Sequence, residues 1–131
     1  MAAIRVLIVD DVERVRDDLR TFLTLTGNIE VVAEADNGLQ AIHLVDALRP
    51  QVVVMDLEMP LMDGFEATRQ IKTLQSWCRV IALTIHTSES EQRRAMQAGA
   101  DDFIVKGDSL AHLLESIRTA PMIGQTNQEG E

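Results

Sequence analysis

Apolar residues along the chain fall into two alternating rhythms. Five short runs, Ile4 to Val9, Glu30 to Ala35, Gln51 to Asp56, Arg79 to Thr84 and Asp102 to Lys106, are mostly rich in valine and isoleucine and read as strands. Between them apolar positions recur at helical spacing. Val12, Val15, Leu19, Phe22 and Leu23 trace one such face, and Leu110, Leu113, Leu114 and Ile117 trace another. Asp63 with Glu66, and Ser88 with Glu91, have the spacing of boxes that cap a helix N-terminus, while Gly27 and Gly99 stand where a helix ends. The pattern predicts five strands alternating with five helices. Runs such as Val6 to Val9 and Val52 to Met55 carry no polar alternation, so both their faces are buried, as in a parallel sheet covered by helices. The predicted class is a doubly wound α/β domain, a three-layer α/β/α arrangement around a five-stranded parallel sheet.

Two of these strands end on charge. "VVVMD" closes with Asp56, and "VLIVDD" closes with Asp10 and Asp11. In an open parallel sheet the C-terminal strand ends carry the site. Two carboxylates about 4 Å apart repel by roughly 4 kcal/mol at an effective dielectric near 20, so the cluster calls for a cation or shared protons. An all-oxygen donor set suits a hard divalent ion, and Mg2+ is the expected one. Thr84 ends the fourth strand with a hydroxyl, and Lys106 ends the fifth with an ammonium. Carboxylates, magnesium, a hydroxyl and a fixed cation together suit a transferring phosphoryl group, with one aspartate as nucleophile.

Each residue taken alone has an ordinary reading, and only the conjunction outweighs it. Asp10 with Glu13 has capping-box spacing, Asp63 reads as a cap, Thr84 as a strand residue, and Lys106 as a lysine reaching for water. His43 and His112 lie on helical segments and read as packed or solvent-facing, whereas His86 follows Thr84 closely enough to border the site.

Composition narrows the function. The chain has 131 residues and a net charge of −9, with its twelve lysines and arginines dispersed, so binding to nucleic-acid phosphates or anionic membranes by this chain is disfavoured. Aromatic residues make up 3%, with no tyrosine, which disfavours base-stacking surfaces. No apolar run approaches the ~18 residues of a membrane span, and no signal sequence opens the chain, so a cytoplasmic location is expected. The single cysteine, Cys78, reads as a reduced, partly buried thiol. Residues 1–119 read as one domain, and 120–131 as a polar tail or the start of a linker.

From about Ile4 to Ile117, "VLIVDD", "VVVMDLEMPLMDG", "VIALT" and "AGADDFIVK" resemble, in order and spacing, the receiver domain of bacterial two-component response regulators. The resemblance implies strand order 2-1-3-4-5 and a phosphoryl group passed from a sensor histidine kinase to Asp56. It implies that Asp11 ligates Mg2+ directly, that Asp10 lies beside metal and lysine, and that Asp56 and the Glu58 backbone carbonyl complete the metal site. Thr84 and Lys106 would contact the phosphoryl oxygens, and Phe103 would act with Thr84 as the switch. Such a domain is a signalling module, not an enzyme with an external substrate. It promotes only its own phosphoryl transfer and dephosphorylation.

Departures from the pattern are Ile85, where a small residue is usual and access to Asp56 is narrowed, and Gly107, where proline is frequent. Phe103 has no hydroxyl, so any switch through it works by packing. "LTIHTSES" and "VKGDS" look most like receivers joined to helix-turn-helix output domains, through which alone DNA would be reached; a homodimer is compatible with the pattern. Two other readings compete. A small aspartyl phosphatase of the haloacid dehalogenase type would show D-x-D where this chain has "DDVE", and a receiver-like module that is never phosphorylated would not need the intact set of five. Flavin binding is disfavoured by the acidic first loop, where a phosphate cradle needs glycine and hydroxyl donors.

Overall fold

The computed structural model describes residues 3–86, 88–107 and 110–121, so the polar tail beyond Pro121 lies outside the described residues. Ten elements alternate: β1 (Ile4–Val9), α1 (Glu13–Leu25), β2 (Ile29–Ala35), α2 (Gly38–Leu48), β3 (Val52–Asp56), α3 (Gly64–Leu74), β4 (Arg79–Thr84), α4 (Glu89–Ala98), β5 (Asp102–Val105) and α5 (Leu110–Ile117). The five strands form one sheet in the order β2-β1-β3-β4-β5, and every pairing is parallel. The expected architecture and strand order are both present.

Alternate residues of the strands feed two cores. Val6, Ile8, Val54, Leu83 and Ile104 pack with Leu19 and Leu23 of α1 and with Leu113 and Ile117 of α5. Leu7, Val9, Val53 and Met55 pack instead with Ala41 and Val45 of α2 and with Ala67 and Ile71 of α3. Burial on both faces explains the unbroken apolar runs, because β3 is buried at every residue. The outer strands β2 and β5 are buried only in part.

Boundaries differ from the sequence reading by single residues. β2 starts at Ile29, β3 at Val52, and β5 stops at Val105. Lys106 is therefore one position beyond its strand, although its amide still donates to the Thr84 carbonyl at 2.6 Å. Val12 and Leu110 sit on the rims of their predicted apolar faces, 48% and 47% exposed, because each stands at or just before the first turn of its helix. Asp63 and Ser88 cap α3 and α4 as predicted, accepting from the amides of Glu66 (2.9 Å) and Glu91 (3.1 Å). Asp10 is not the cap of α1. The N-cap position is Val12, and the Asp10 carboxylate takes the Val12 amide at 2.9 Å in a short turn.

One glycine holds the β3–α3 connection against the sheet. A Cβ at Gly64 would lie 2.2 Å from the Asp56 carbonyl oxygen and 2.7 Å from the Leu57 Cα, both backbone atoms that cannot swing aside. Gly64→Ala is expected to lower stability by about 3 kcal/mol through overpacking, measured as a lower midpoint in urea. A midpoint within error of wild type would mean that the loop relaxes freely and does not fix the site.

Candidate functional site

The C-terminal ends of the central strands converge. Ligand oxygens of Asp10, Asp11 and Asp56 all lie within 4.8 Å of one another, with Asp10 and Asp56 buried and Asp11 exposed. These acids are adjacent because β1 and β3 are neighbours, Val9 pairing with Met55 one residue before each strand's terminal carboxylate. Lys106 reaches across from the end of β5. Its Nζ lies 2.9 Å from Asp10 Oδ2 and 3.4 Å from Asp56 Oδ1, so one ammonium faces two buried carboxylates. Asp56 Oδ1 also accepts the Glu58 amide at 3.1 Å, which anchors the start of the loop after β3. On the far side, Arg16 Nη1 donates to the Asp10 carbonyl at 2.7 Å while its Nε pairs with Glu34 at 3.0 Å, tying α1 to β2 beneath the cluster.

Electrostatics follow from this crowding. Burial is the largest influence on Asp56 and pushes its carboxyl up from 3.8 to about 6; the Glu58 amide and Lys106 draw it down, and the Asp10 charge adds to the rise. For Lys106, burial works against the charged form, but the hydrogen bond to Asp10 and the charges of Asp56 and Asp10 outweigh it and leave the ammonium raised. One lysine does not balance three acids. The oxygen-only donor set with its excess of negative charge fits a small hard divalent cation.

Thr84 and Phe103 share one face of the sheet on adjacent strands, since Ala82 pairs with Phe103 and Thr84 with Val105. Phe103 packs on a small cluster of Leu57, Phe65, Ala82, Ala95 and Ala100. The Thr84 hydroxyl is already engaged. It donates to Glu91 Oε1 of α4 at 3.3 Å and accepts the His86 amide at 3.1 Å. His86 Nε2 in turn pairs with the Glu58 carboxylate. Ile85 is 62% exposed and leaves most of its bulk in solvent. Gly107 has φ of +94°, a conformation that a proline ring, fixed near −65°, does not adopt. Cys78 is fully buried, more so than its composition suggested, and burial pushes its thiol up to about 12.

Three contributors escaped the sequence reading. Glu91 was visible only as the partner of Ser88 in a cap, yet its carboxylate serves Thr84; Arg16 and Gly64 carried no local signal beyond ordinary helix and loop positions.

A family model, the response regulator receiver domain, matches residues 6–118. The chain belongs to the response regulator receiver family. Over 115 residues this receiver is 39% identical to the response regulator protein VraR of Staphylococcus saprophyticus, covering 88% of the chain and 55% of VraR. It thus spans about half the length of the curated relatives it matches. Among solved structures it is similar to the response regulator domain of Thermotoga maritima CheB, at 36% identity and a TM-score of 0.82, covering 90% of this chain and 96% of that one. It is also similar to a LuxR-family two-component response regulator from Aurantimonas sp. SI85-9A1, at 30% identity and a TM-score of 0.85, with 99% and 100% covered. No helix among the described residues is long and apolar enough to cross a membrane.

Proposed function

We propose that Asp56 of this receiver accepts a phosphoryl group from a sensor histidine kinase, with Mg2+ held by Asp11, Asp10, Asp56 and the Glu58 backbone carbonyl. The observation that carries the reading is the buried Asp56 carboxylate, 3.4 Å from Lys106 Nζ and surrounded by further acids. An Asp56 oxygen attacks phosphorus, a new P–O bond forms, and the bond to the donor's imidazole nitrogen breaks with its electron pair leaving on that nitrogen. Lys106 is within reach of the charge that builds on the equatorial oxygens, and Asp10 keeps its ammonium oriented at 2.9 Å. Bound magnesium would supply charge neutralisation between carboxylates and phosphoryl oxygens. The site acts on its own phosphoryl group, so the domain is a switch and not a turnover enzyme. Control of transcription would pass through an output domain of the kind its LuxR-family relatives' names imply, and the net charge of −9 disfavours DNA binding by this segment itself.

Incubation with acetyl phosphate tests the reading. Intact mass should gain one phosphoryl group in magnesium and none in chelator, whereas label indifferent to magnesium would contradict the metal-assisted transfer.

The switch is assigned to Thr84 and Phe103. Phosphorylation draws the Thr84 hydroxyl from Glu91 toward the new oxygens, and Phe103, on the same face, fills the space vacated. A hydrogen bond to a charged group contributes about 1.5 to 3 kcal/mol, which moves a two-state equilibrium by about 10- to 150-fold. Thr84→Ala should still accept the phosphoryl group but lose most of the change in amide exchange over residues 88–106 on adding beryllofluoride. A full response in the variant would remove Thr84 from the coupling.

A further inference from the structure

A second set of metal-ligating side chains lies outside the carboxylate cluster. Glu58 from the β3–α3 loop, His86 from the loop after β4 and Glu91 from α4 bring one ligand atom each to within 4.8 Å of the others. We infer that Glu58, His86 and Glu91 form a separate site for a borderline transition-metal ion of the zinc class.

The donor chemistry differs from that of the acidic cluster. An imidazole nitrogen with two carboxylates suits zinc-class ions, whereas magnesium selects oxygen donors and retains its waters. A tetrahedral ion with bonds of about 2.1 Å sets its ligand atoms roughly 3.4 Å apart. The three atoms lie within 4.8 Å of one another, so adjustment to that spacing is within the rotamer freedom of these side chains, of which Glu58 and His86 are exposed and Glu91 half-buried. His86 Nε2 already pairs with the Glu58 carboxylate, so an ion enters by displacing the proton between them and parting the pair. Solvent exposure supplies the entry path and leaves room for water as a fourth ligand. The sole cysteine does not compete, because Cys78 is buried.

The position gives such an ion a consequence, which rests on the phosphoryl-acceptor reading. Glu91 holds the Thr84 hydroxyl at 3.3 Å, and Glu58 is anchored through its amide to Asp56. An ion bridging Glu58, His86 and Glu91 pins α4 and both loops in the arrangement in which the Thr84 hydroxyl donates to Glu91. Zinc-class ions therefore favour the unswitched state.

The test is calorimetric titration of Zn2+ into tag-free protein with Mg2+ already in excess, so that binding is read independently of phosphorylation. His86→Ala is expected to weaken zinc binding by about 10-fold or more, and Glu91→Gln to weaken it in the same direction, while Asp11→Ala keeps wild-type affinity. Unfolding curves of each variant, equal to wild type, establish that the loss is local. Co2+ as a spectroscopic probe should give visible absorption of four-coordinate intensity that His86→Ala abolishes. Equal zinc affinity in wild type and His86→Ala, or a loss in Asp11→Ala alone, overturns the site and returns the ion to the carboxylate cluster.

Discussion

Asp56→Asn is expected to raise the stability of the magnesium-free protein at neutral pH while removing its phosphoryl acceptor. The wild-type carboxyl is displaced upward from 3.8 to about 6, chiefly by burial. Because the folded-state value is the higher one, the folded protein holds a proton that the unfolded chain releases between these two limits. Stability from this group therefore falls as pH rises from about 4 to about 6, and the cost is complete above that window. At 1.36 kcal/mol per unit, the cost is on the order of 3 kcal/mol, only slightly discounted for screening because Asp56 is 3% exposed. Asparagine has nearly the same shape and no charge, and Lys106 retains Asp10 at 2.9 Å, so the substitution leaves no cation unpaired. Urea unfolding in chelator at pH 4.5 and pH 7.5 should show the wild type losing stability, relative to Asp56→Asn, at the higher pH. A difference that does not change with pH would mean that Asp56 is solvated and ionised at no cost, and the site is not the crowded one described.

The other large effect is on the cation. Asp11→Ala should weaken Mg2+ binding by about 100-fold, at or above the upper end of what loss of a supporting outer partner costs. Asp11 is the exposed member of the cluster and makes no ion pair among the described residues, so its removal neither opens a cavity nor frees a buried partner. The variant should consequently unfold like wild type while its calorimetric magnesium titration flattens. An unchanged titration would leave Asp11 as a surface acid at the head of α1. Glu58 offers a contrast: its amide anchors Asp56 whatever its side chain is, so only backbone disruption there should disturb magnesium.

The fold is most legible in the sequence where burial is extreme. β1 and β3 are central, their runs buried on both faces, and a carboxylate at the end of such a run is conspicuous because ionised groups are costly to bury without partners. The same logic exposed Lys106, since a lysine after an apolar edge strand needs a counter-charge, and it finds Asp10 96 residues away. β2 starts one residue earlier than the sequence suggests, at Ile29, which is itself apolar and buried but follows directly on the turn at Gly27 and Asn28, both at positive φ. Glu91 was half legible. Its spacing from Ser88 announced a cap, and the amide indeed donates to Ser88, but the side chain turns to Thr84 across a loop that periodicity does not describe. Gly64 was hidden for another reason: its necessity comes from the Asp56 carbonyl standing where a Cβ would have to go, a backbone constraint that carries no side-chain pattern.

Which residue carries the phosphoryl group is the central question, and acyl phosphate chemistry answers it residue by residue. Borohydride reduces an aspartyl phosphate to homoserine, marking the acceptor permanently. After treatment with acetyl phosphate and Mg2+, then borohydride and proteolysis, peptide mass spectrometry should find homoserine at position 56 and nowhere else. Homoserine at Asp10 or Asp11, or an unmodified Asp56 in protein whose intact mass had gained a phosphoryl group, would contradict the assignment.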